Sequence, residues 1–213
     1  MREKKTIILT NGDFPKHPIP IGILRKAETI ICCDGAVDKL DKFGMRPNHV
    51  IGDMDSISSK MKNKFHEILE QDLTQDNNDL GKAFNYCRKI YSKAVTILGA
   101  TGYREDHSIG NIFQLLEFGN SLPVEMVTDT GIFSFMTKQQ KFDSFLGQQV
   151  SLFVTNPEIE ITTNNLKYQL SSTRVSSLNK GTLNESNGCF FFIKISHGAI
   201  LVYRQFQGIK KGN

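Results

Sequence analysis

The chain has 213 residues, 39% hydrophobic and 23% charged, a balance that supports a buried core in one domain or two small ones and excludes an intrinsically disordered chain. Its net charge of +4 is scattered, without a Lys/Arg stripe interleaved with aromatics, so nucleic acid is not an expected partner; a mildly basic balance does suit a polyphosphate pocket. No apolar run approaches the roughly 20 residues of a membrane helix, and Met1-Arg2-Glu3-Lys4-Lys5 lacks the apolar stretch of a signal peptide, so a cytoplasmic protein with no membrane partner is expected.

In chain order, Thr6-Ile7-Ile8-Leu9 and Thr29-Ile30-Ile31-Cys32-Cys33 are short continuous apolar runs, which fit strands covered on both faces of a parallel sheet. His49-Val50-Ile51, Ala94-Val95-Thr96-Ile97-Leu98 and Val124-Glu125-Met126-Val127 are three more candidate strands. Between them lies helical periodicity. Leu80, Ala83, Phe84, Cys87 and Ile90 share one helix face, Ile109, Ile112, Phe113 and Leu116 repeat the pattern, and Met61, Phe65, Ile68 and Leu69 give a shorter version. Alternating strands and helices predict a doubly wound, mostly parallel α/β sheet.

The texture changes after about Lys138. Val150-Ser151-Leu152-Phe153-Val154, Glu158-Ile159-Glu160-Ile161-Thr162, the run from Phe190 to Ile195 and Ala199-Ile200-Leu201-Val202-Tyr203 read as strands separated by Asn, Ser and Gly clusters. The expectation is an α/β domain over residues 1–138 and a smaller all-β sandwich or roll over 139–213. Four cysteines, Cys32, Cys33, Cys87 and Cys189, show no CxxC spacing and are most simply buried apolar side chains.

The chemistry concentrates where strands end. Gly52-Asp53-Met54-Asp55-Ser56 follows the third strand, and two carboxylates one residue apart on extended backbone leave on the same face. Such a pair repels itself unless a cation intervenes, and Mg²⁺ takes one or two carboxylates with water and substrate phosphates. Asp34 follows the second strand and leads into Gly35. Asp76 and Asp79 precede the best helix. Arg104, Glu105, Asp106 and His107 follow the glycine-bearing run Gly99-Ala100-Thr101-Gly102. In open α/β sheets ligands bind beyond the carboxyl ends of the strands, and four such junctions here carry carboxylates. Asp79 and Asp106 taken singly also fit helix N-caps, and Asn11-Gly12-Asp13 fits either a nucleotide contact or a turn. No GxxxxGK[ST] signature is present, which excludes a P-loop enzyme.

These blocks, in this order, resemble thiamine pyrophosphokinase: Asp34-Gly35-Ala36, Gly52-Asp53-Met54-Asp55-Ser56, Gln75-Asp76-Asn77-Asn78-Asp79, Gly99-Ala100-Thr101-Gly102-Tyr103-Arg104-Glu105-Asp106-His107, Leu166-Lys167-Tyr168-Gln169-Leu170 and Gly181-Thr182-Leu183-Asn184-Glu185. The resemblance implies transfer of a pyrophosphoryl group from ATP to thiamine, giving thiamine diphosphate and AMP. It implies Mg²⁺ held by Asp53, Asp55 and Asp79, with Asp34, Arg104 and Asp106 as further active-site groups. It implies substrate contacts at Gln75, Asp76, His107, Tyr168, Thr182, Leu183 and Asn184, and nucleotide contacts at Asn11, Gly12, Gly35, Ser56 and Gly102. It also implies a homodimer, with thiamine held between the α/β domain of one subunit and the β domain of the other.

Two positions depart from the family pattern. Tyr103 stands where a second glycine is usual, and Leu183 where a serine usually precedes the asparagine. Two other readings stay open on the sequence: a metal-dependent nucleotidyl or glycosyl transferase, since Asp-x-Asp also holds metal-bound nucleotide sugars, and a nucleotide- or thiamine-binding sensor without turnover.

Overall fold

The computed structural model describes residues 6–74 and 76–209; the N-terminal residues 1–5 and the candidate Gln75 lie outside the described residues. The chain divides into two compact units, Met1–Asp129 and Thr130–Asn213. The break falls earlier in the chain than the change of texture near Lys138, because the apolar segment Gly131–Met136 pairs within the second unit.

The first unit runs β1 (Thr6–Leu9), α1 (Pro18–Arg25), β2 (Thr29–Cys33), α2 (Ala36–Lys42), β3 (His49–Gly52), α3 (Ser59–Lys64), β4 (Leu69–Gln71), α4 (Asp79–Lys89), β5 (Val95–Leu98), α5 (Glu105–Phe118) and β6 (Val124–Val127). Its strands lie in the order β6-β5-β1-β2-β3-β4, every pair parallel. The chain winds outward from β1 to β4, then crosses back through α4 to β5. The order therefore reverses between β1 and β5, the place where doubly wound sheets open a ligand crevice. The continuous apolar runs are buried as that architecture demands: all four residues of β1 and Ile30 to Cys33 of β2 are inaccessible.

Helix starts follow local chemistry. The His17 ring nitrogen accepts from the Ile19 N–H ahead of a proline-rich first turn, and the Asn78 side chain accepts from the Gly81 N–H at the start of α4. Two expectations need correction. In α5 the buried residues are Leu115 and Phe118, while Ile109 is exposed, so the helix is turned from the face read in the sequence. The third helical pattern breaks after α3: Ile68 closes a 3₁₀ turn and Leu69 opens the short edge strand β4.

The second unit contains β7 (Gly131–Met136), β8 (Gln139–Asp143), β9 (Gln149–Phe153), β10 (Glu160–Asn164), β11 (Thr173–Arg174), β12 (Asn184–Glu185), β13 (Phe190–Ile195) and β14 (Ile200–Gln205). Two antiparallel layers form, β12-β9-β14-β7 and β11-β10-β13-β8. Alternate residues of both layers fill the core between them, among them Phe142, Leu152, Ile161, Phe191, Ile193 and Val202. The fold class is thus the expected one: a parallel α/β unit followed by a smaller β-sandwich. Cys32, Cys33 and Cys87 are buried as expected, but Cys189 is exposed beside the turn into β13, where its side chain has no core to enter.

No described helix is long and apolar enough to cross a membrane.

Candidate active site

The crevice between β1 and β5 is closed at its floor by backbone pairing that continues past the strands. Thr10 N–H donates to Leu98 O (2.9 Å), Gly12 N–H to Gly99 O (2.8 Å) and Asp13 N–H to Thr101 O (2.8 Å). This close approach requires glycine at position 12: a Cβ there would lie 2.3 Å from Gly99 O and 2.5 Å from Thr101 O. The Lys39 ammonium, from α2, ties down the same turn by donating to Asn11 O (2.8 Å) and Gly12 O (2.7 Å). Above the floor lies a cavity of about 330 Å³, lined from the ends of β1, β2, β3 and β5 and the first turns of α4 and α5.

The acidic residues meet at one end of this arrangement. Asp34, Asp53 and Asp55 each offer a carboxylate oxygen within 4.8 Å of the other two. Asp34 turns the chain after β2 with φ +42°, a left-handed conformation that aspartate tolerates better than most residues. Its N–H donates to Ile51 O (2.9 Å), and its Oδ2 accepts from the Ser56 N–H (2.9 Å), which joins the ends of β2 and β3. Its Oδ1 is buried with no protein partner. Burial pushes the Asp34 carboxyl above the usual carboxylate range, against the hydrogen bonds from Ser56. Asp53 Oδ1 accepts from the Asp55 N–H (3.2 Å), and Asp55 Oδ1 accepts from the Ser56 hydroxyl (2.9 Å), which holds the Asp55 carboxyl low.

Asp79 stands at the edge of this cluster as the first residue of α4. It is not the helix cap, a task that falls to Asn78. Burial first, and then the charges of Asp34 and Asp53, push its carboxyl up to about 6. Opposing them is Lys82, a buried lysine (6% exposed) whose Nζ lies 3.8 Å from Asp79 Oδ1 and donates to Asp72 O (2.8 Å). Sequence reading passed over Lys82. The only available signal was its spacing of three residues from Asp79, which puts both on one helix face.

The turn after β5 and the start of α5 add Tyr103, Arg104 and His107 to the cavity lining. Arg104 and Asp106 form a two-pronged ion pair (Nε to Oδ1 3.0 Å, Nη2 to Oδ2 2.5 Å), and the guanidinium holds the Asp106 carboxyl down to about 2. Asp106 therefore does not serve readily as a proton acceptor; it fixes the direction of Arg104, and its Oδ1 also accepts from the His107 N–H (2.9 Å) in the first turn of α5. Gly102, at φ +87°, packs where a Cβ would lie 2.6 Å from the Asp13 carboxylate, and a Cβ on Gly35 would lie 2.7 Å from Asn11 Nδ2. Asn11, Gly12, Ser56 and Gly102 all line the cavity; Gly35 packs behind Asn11, and Asp76 is exposed in the approach to α4.

The remaining candidates belong to the second unit and form a neighbourhood of their own. Asn184 is buried and its amide is spent on backbone: Oδ1 accepts from the Tyr168 N–H (3.0 Å) and Nδ2 donates to Tyr168 O (2.7 Å). This clasp leaves the Tyr168 and Leu183 side chains exposed, with Leu183 at φ +62° and its N–H on Ser151 Oγ (3.3 Å). Thr182 turns its hydroxyl back to Asn179 O (2.7 Å).

Residues 22–128 match the family profile of the thiamin pyrophosphokinase catalytic domain, and residues 131–203 that of the thiamin pyrophosphokinase substrate-binding domain. A thiamine pyrophosphokinase 1 of Oryza sativa subsp. japonica is 26% identical, over 80% of this chain and 75% of the relative. The crystal structure of a thiamine pyrophosphokinase from Bacillus subtilis superposes with a TM-score of 0.79 at 20% identity, covering 96% of this chain and 100% of that one. That of a probable thiamine pyrophosphokinase from Staphylococcus saprophyticus does so with a TM-score of 0.72 at 25% identity, covering 94% and 98%. With both profiles spanning the two units and the acidic crevice lying in the first, the chain belongs to the thiamin pyrophosphokinase family.

Proposed function

We propose that this chain transfers the pyrophosphoryl group of ATP to the hydroxyethyl oxygen of thiamine, releasing AMP and forming thiamine diphosphate. The observation that carries the reading is the acidic triad at the switch point, above all the buried Asp34 Oδ1 that no protein donor satisfies. Three hard oxygen donors, one of them desolvated and orphaned, fit Mg²⁺. Asp34, Asp53 and Asp55 would hold it, with Asp79 beside them, so Asp34 joins Asp53, Asp55 and Asp79, the set that the resemblance implies. When bound, the ion neutralises charge on the polyphosphate and polarises the phosphorus under attack.

The chain's own groups do the positioning on which phosphoryl-type transfer mostly depends. The zipped turns after β1 and β5 give a rigid floor, Arg104 is aimed by Asp106 and supplies positive charge toward the phosphates, and Lys82 offsets the acidic end. Gln75 and Asp76 precede Asp79 in sequence and His107 lines the cavity, and we assign all three to the acceptor. In the second unit, Tyr168, Thr182, Leu183 and Asn184 are assigned to thiamine, with Asn184 acting through the backbone it clasps. We assign the active form as a homodimer working in the cytoplasm.

The test is AMP formation from ATP and Mg²⁺ with and without thiamine. Thiamine-dependent AMP that falls by at least about a thousandfold in Asp55→Asn supports the reading, a loss on the scale of removing a group that stabilises transition-state charge. ATP turnover indifferent to thiamine, or an Asp55→Asn variant as active as the parent, refutes it.

A further inference from the structure

Tyr103 occupies a position whose backbone suits glycine. The pairing of Gly12 with Gly99 and of Asp13 with Thr101 fixes the loop before Tyr103 is reached, and Gly102 packs against Asp13 at φ +87°. The chain then leaves Tyr103 at φ +60°, a left-handed conformation that costs a residue with a side chain about 1 kcal/mol or more. The ring recovers little of that by burial, since the residue is 72% exposed. It does face the Lys39 ammonium, 4.7 Å from the ring centroid. That ammonium is itself anchored on Asn11 O and Gly12 O, so the ring is held from one side by strained backbone and from the other by an anchored cation. A large aromatic, strained, exposed and held in place on a cavity wall is not explained by stability.

The cavity lining includes Ser56 and Asp79, beside the acidic triad, and also Tyr103, Arg104 and His107. A nucleotide whose polyphosphate is held beside the triad leaves its planar base to the rest of this lining, where Tyr103 is the one phenylalanine, tyrosine or tryptophan side chain among the described residues that line it. We propose that the Tyr103 ring is the stacking wall for that base, making Tyr103 a specificity-determining residue where the family pattern has glycine. The inference rests on the nucleotide reading of the site. Stacking needs only a π-face, so it favours a nucleoside polyphosphate over a bare polyphosphate without requiring a hydrogen-bond code.

The experiment is calorimetric titration of ATP, AMP and inorganic tripolyphosphate, each with Mg²⁺, into the full chain and its Tyr103→Ala, Tyr103→Phe and Tyr103→Gly variants. Loss of one base-stacking contact predicts that Tyr103→Ala weakens ATP and AMP by on the order of ten- to a hundredfold and leaves tripolyphosphate unchanged, while Tyr103→Phe binds like the parent. Tyr103→Gly, relieved of backbone strain, should show the same loss while melting at or above the parent temperature, which separates lost stacking from a damaged fold. Unchanged ATP binding in Tyr103→Ala, or equal weakening of ATP and tripolyphosphate, overturns the stacking role while leaving the nucleotide reading intact. A parent chain that binds neither ATP nor AMP overturns both.

Discussion

Replacing Asp53 by Asn should stabilise the metal-free protein. Its carboxylate shares a site with Asp34 and Asp55, one oxygen of each lying within 4.8 Å of the others. Two unit charges at that separation repel by about 1 kcal/mol at the dielectric of water and about 3.5 kcal/mol at an effective value of 20. Asp53 has two such neighbours, but it is only half-buried, and Asp34 relieves part of the strain by its raised affinity for a proton. Solvent and salt screening then leave a net gain of roughly 1–2 kcal/mol, or about 2–8 °C in Tm for a chain of this size. Asparagine keeps the oxygen that accepts from the Asp55 N–H, so the turn itself should survive. The assay is thermal and urea unfolding of parent and variant in EDTA and in excess Mg²⁺. In EDTA the variant should be the more stable; Mg²⁺ at a hundred times its Kd should raise the parent by about 2.7 kcal/mol and the variant far less. A variant less stable than the parent in EDTA, or equal stabilisation of both by Mg²⁺, would refute the placement of a cation among these three carboxylates.

The other predictions concern neighbouring parts of the structure. Asp79 has its pKa raised to about 6, so its ionisation opposes folding: the stability present below its ordinary range near 4 is lost as pH rises through about 6. Asp79→Asn should therefore gain on the parent above pH 6 in EDTA and show no gain below pH 4, as read from urea midpoints across that window; a pH-independent difference would contradict it. Gly12→Ala drives a Cβ into two backbone carbonyls and should cost about 1–3 kcal/mol together with nucleotide binding, measured by melting and calorimetry. Phe191→Ala in the second unit empties a fully buried site and should cost about 3–5 kcal/mol by denaturant unfolding; a loss below 1 kcal/mol would mean that the sandwich core is not packed there.

Strands β1 and β2 were legible because each is a nearly unbroken apolar run, and a run of that length has few ways to hide except between helices. Strand β4 was not, because its three residues Leu69–Gln71 lie at a sheet edge and bury too little to leave a pattern. Helix α5 was legible as a helix but not in its orientation: Ile109 satisfies the periodicity, yet nothing local says that it stays exposed while Leu115 and Phe118 go inside. At the site, Asp53 and Asp55 announce themselves by spacing, whereas the role of Asp34 beside them depends on β2 and β3 being neighbours. Position 103 shows the reverse case. The family's glycine there reads as a motif until the backbone at φ +60° shows what it serves, and Tyr103 then becomes a departure with a measurable cost. Leu183 repeats the situation at φ +62° in the second unit, 73% exposed.

The pairing that extends past β1 and β5 has a bearing on how this site could diversify. Because Gly12 and Asp13 bond to Gly99 and Thr101 in fixed register, one residue added to or removed from either turn would misalign the pairs that follow and lift the floor from under the cavity. Insertions and deletions, the usual currency of loop variation in α/β folds, are closed off here. Change must come as substitution at positions pointing away from the paired backbone, and the turn after β5 offers such a position at residue 103, where this chain carries a ring.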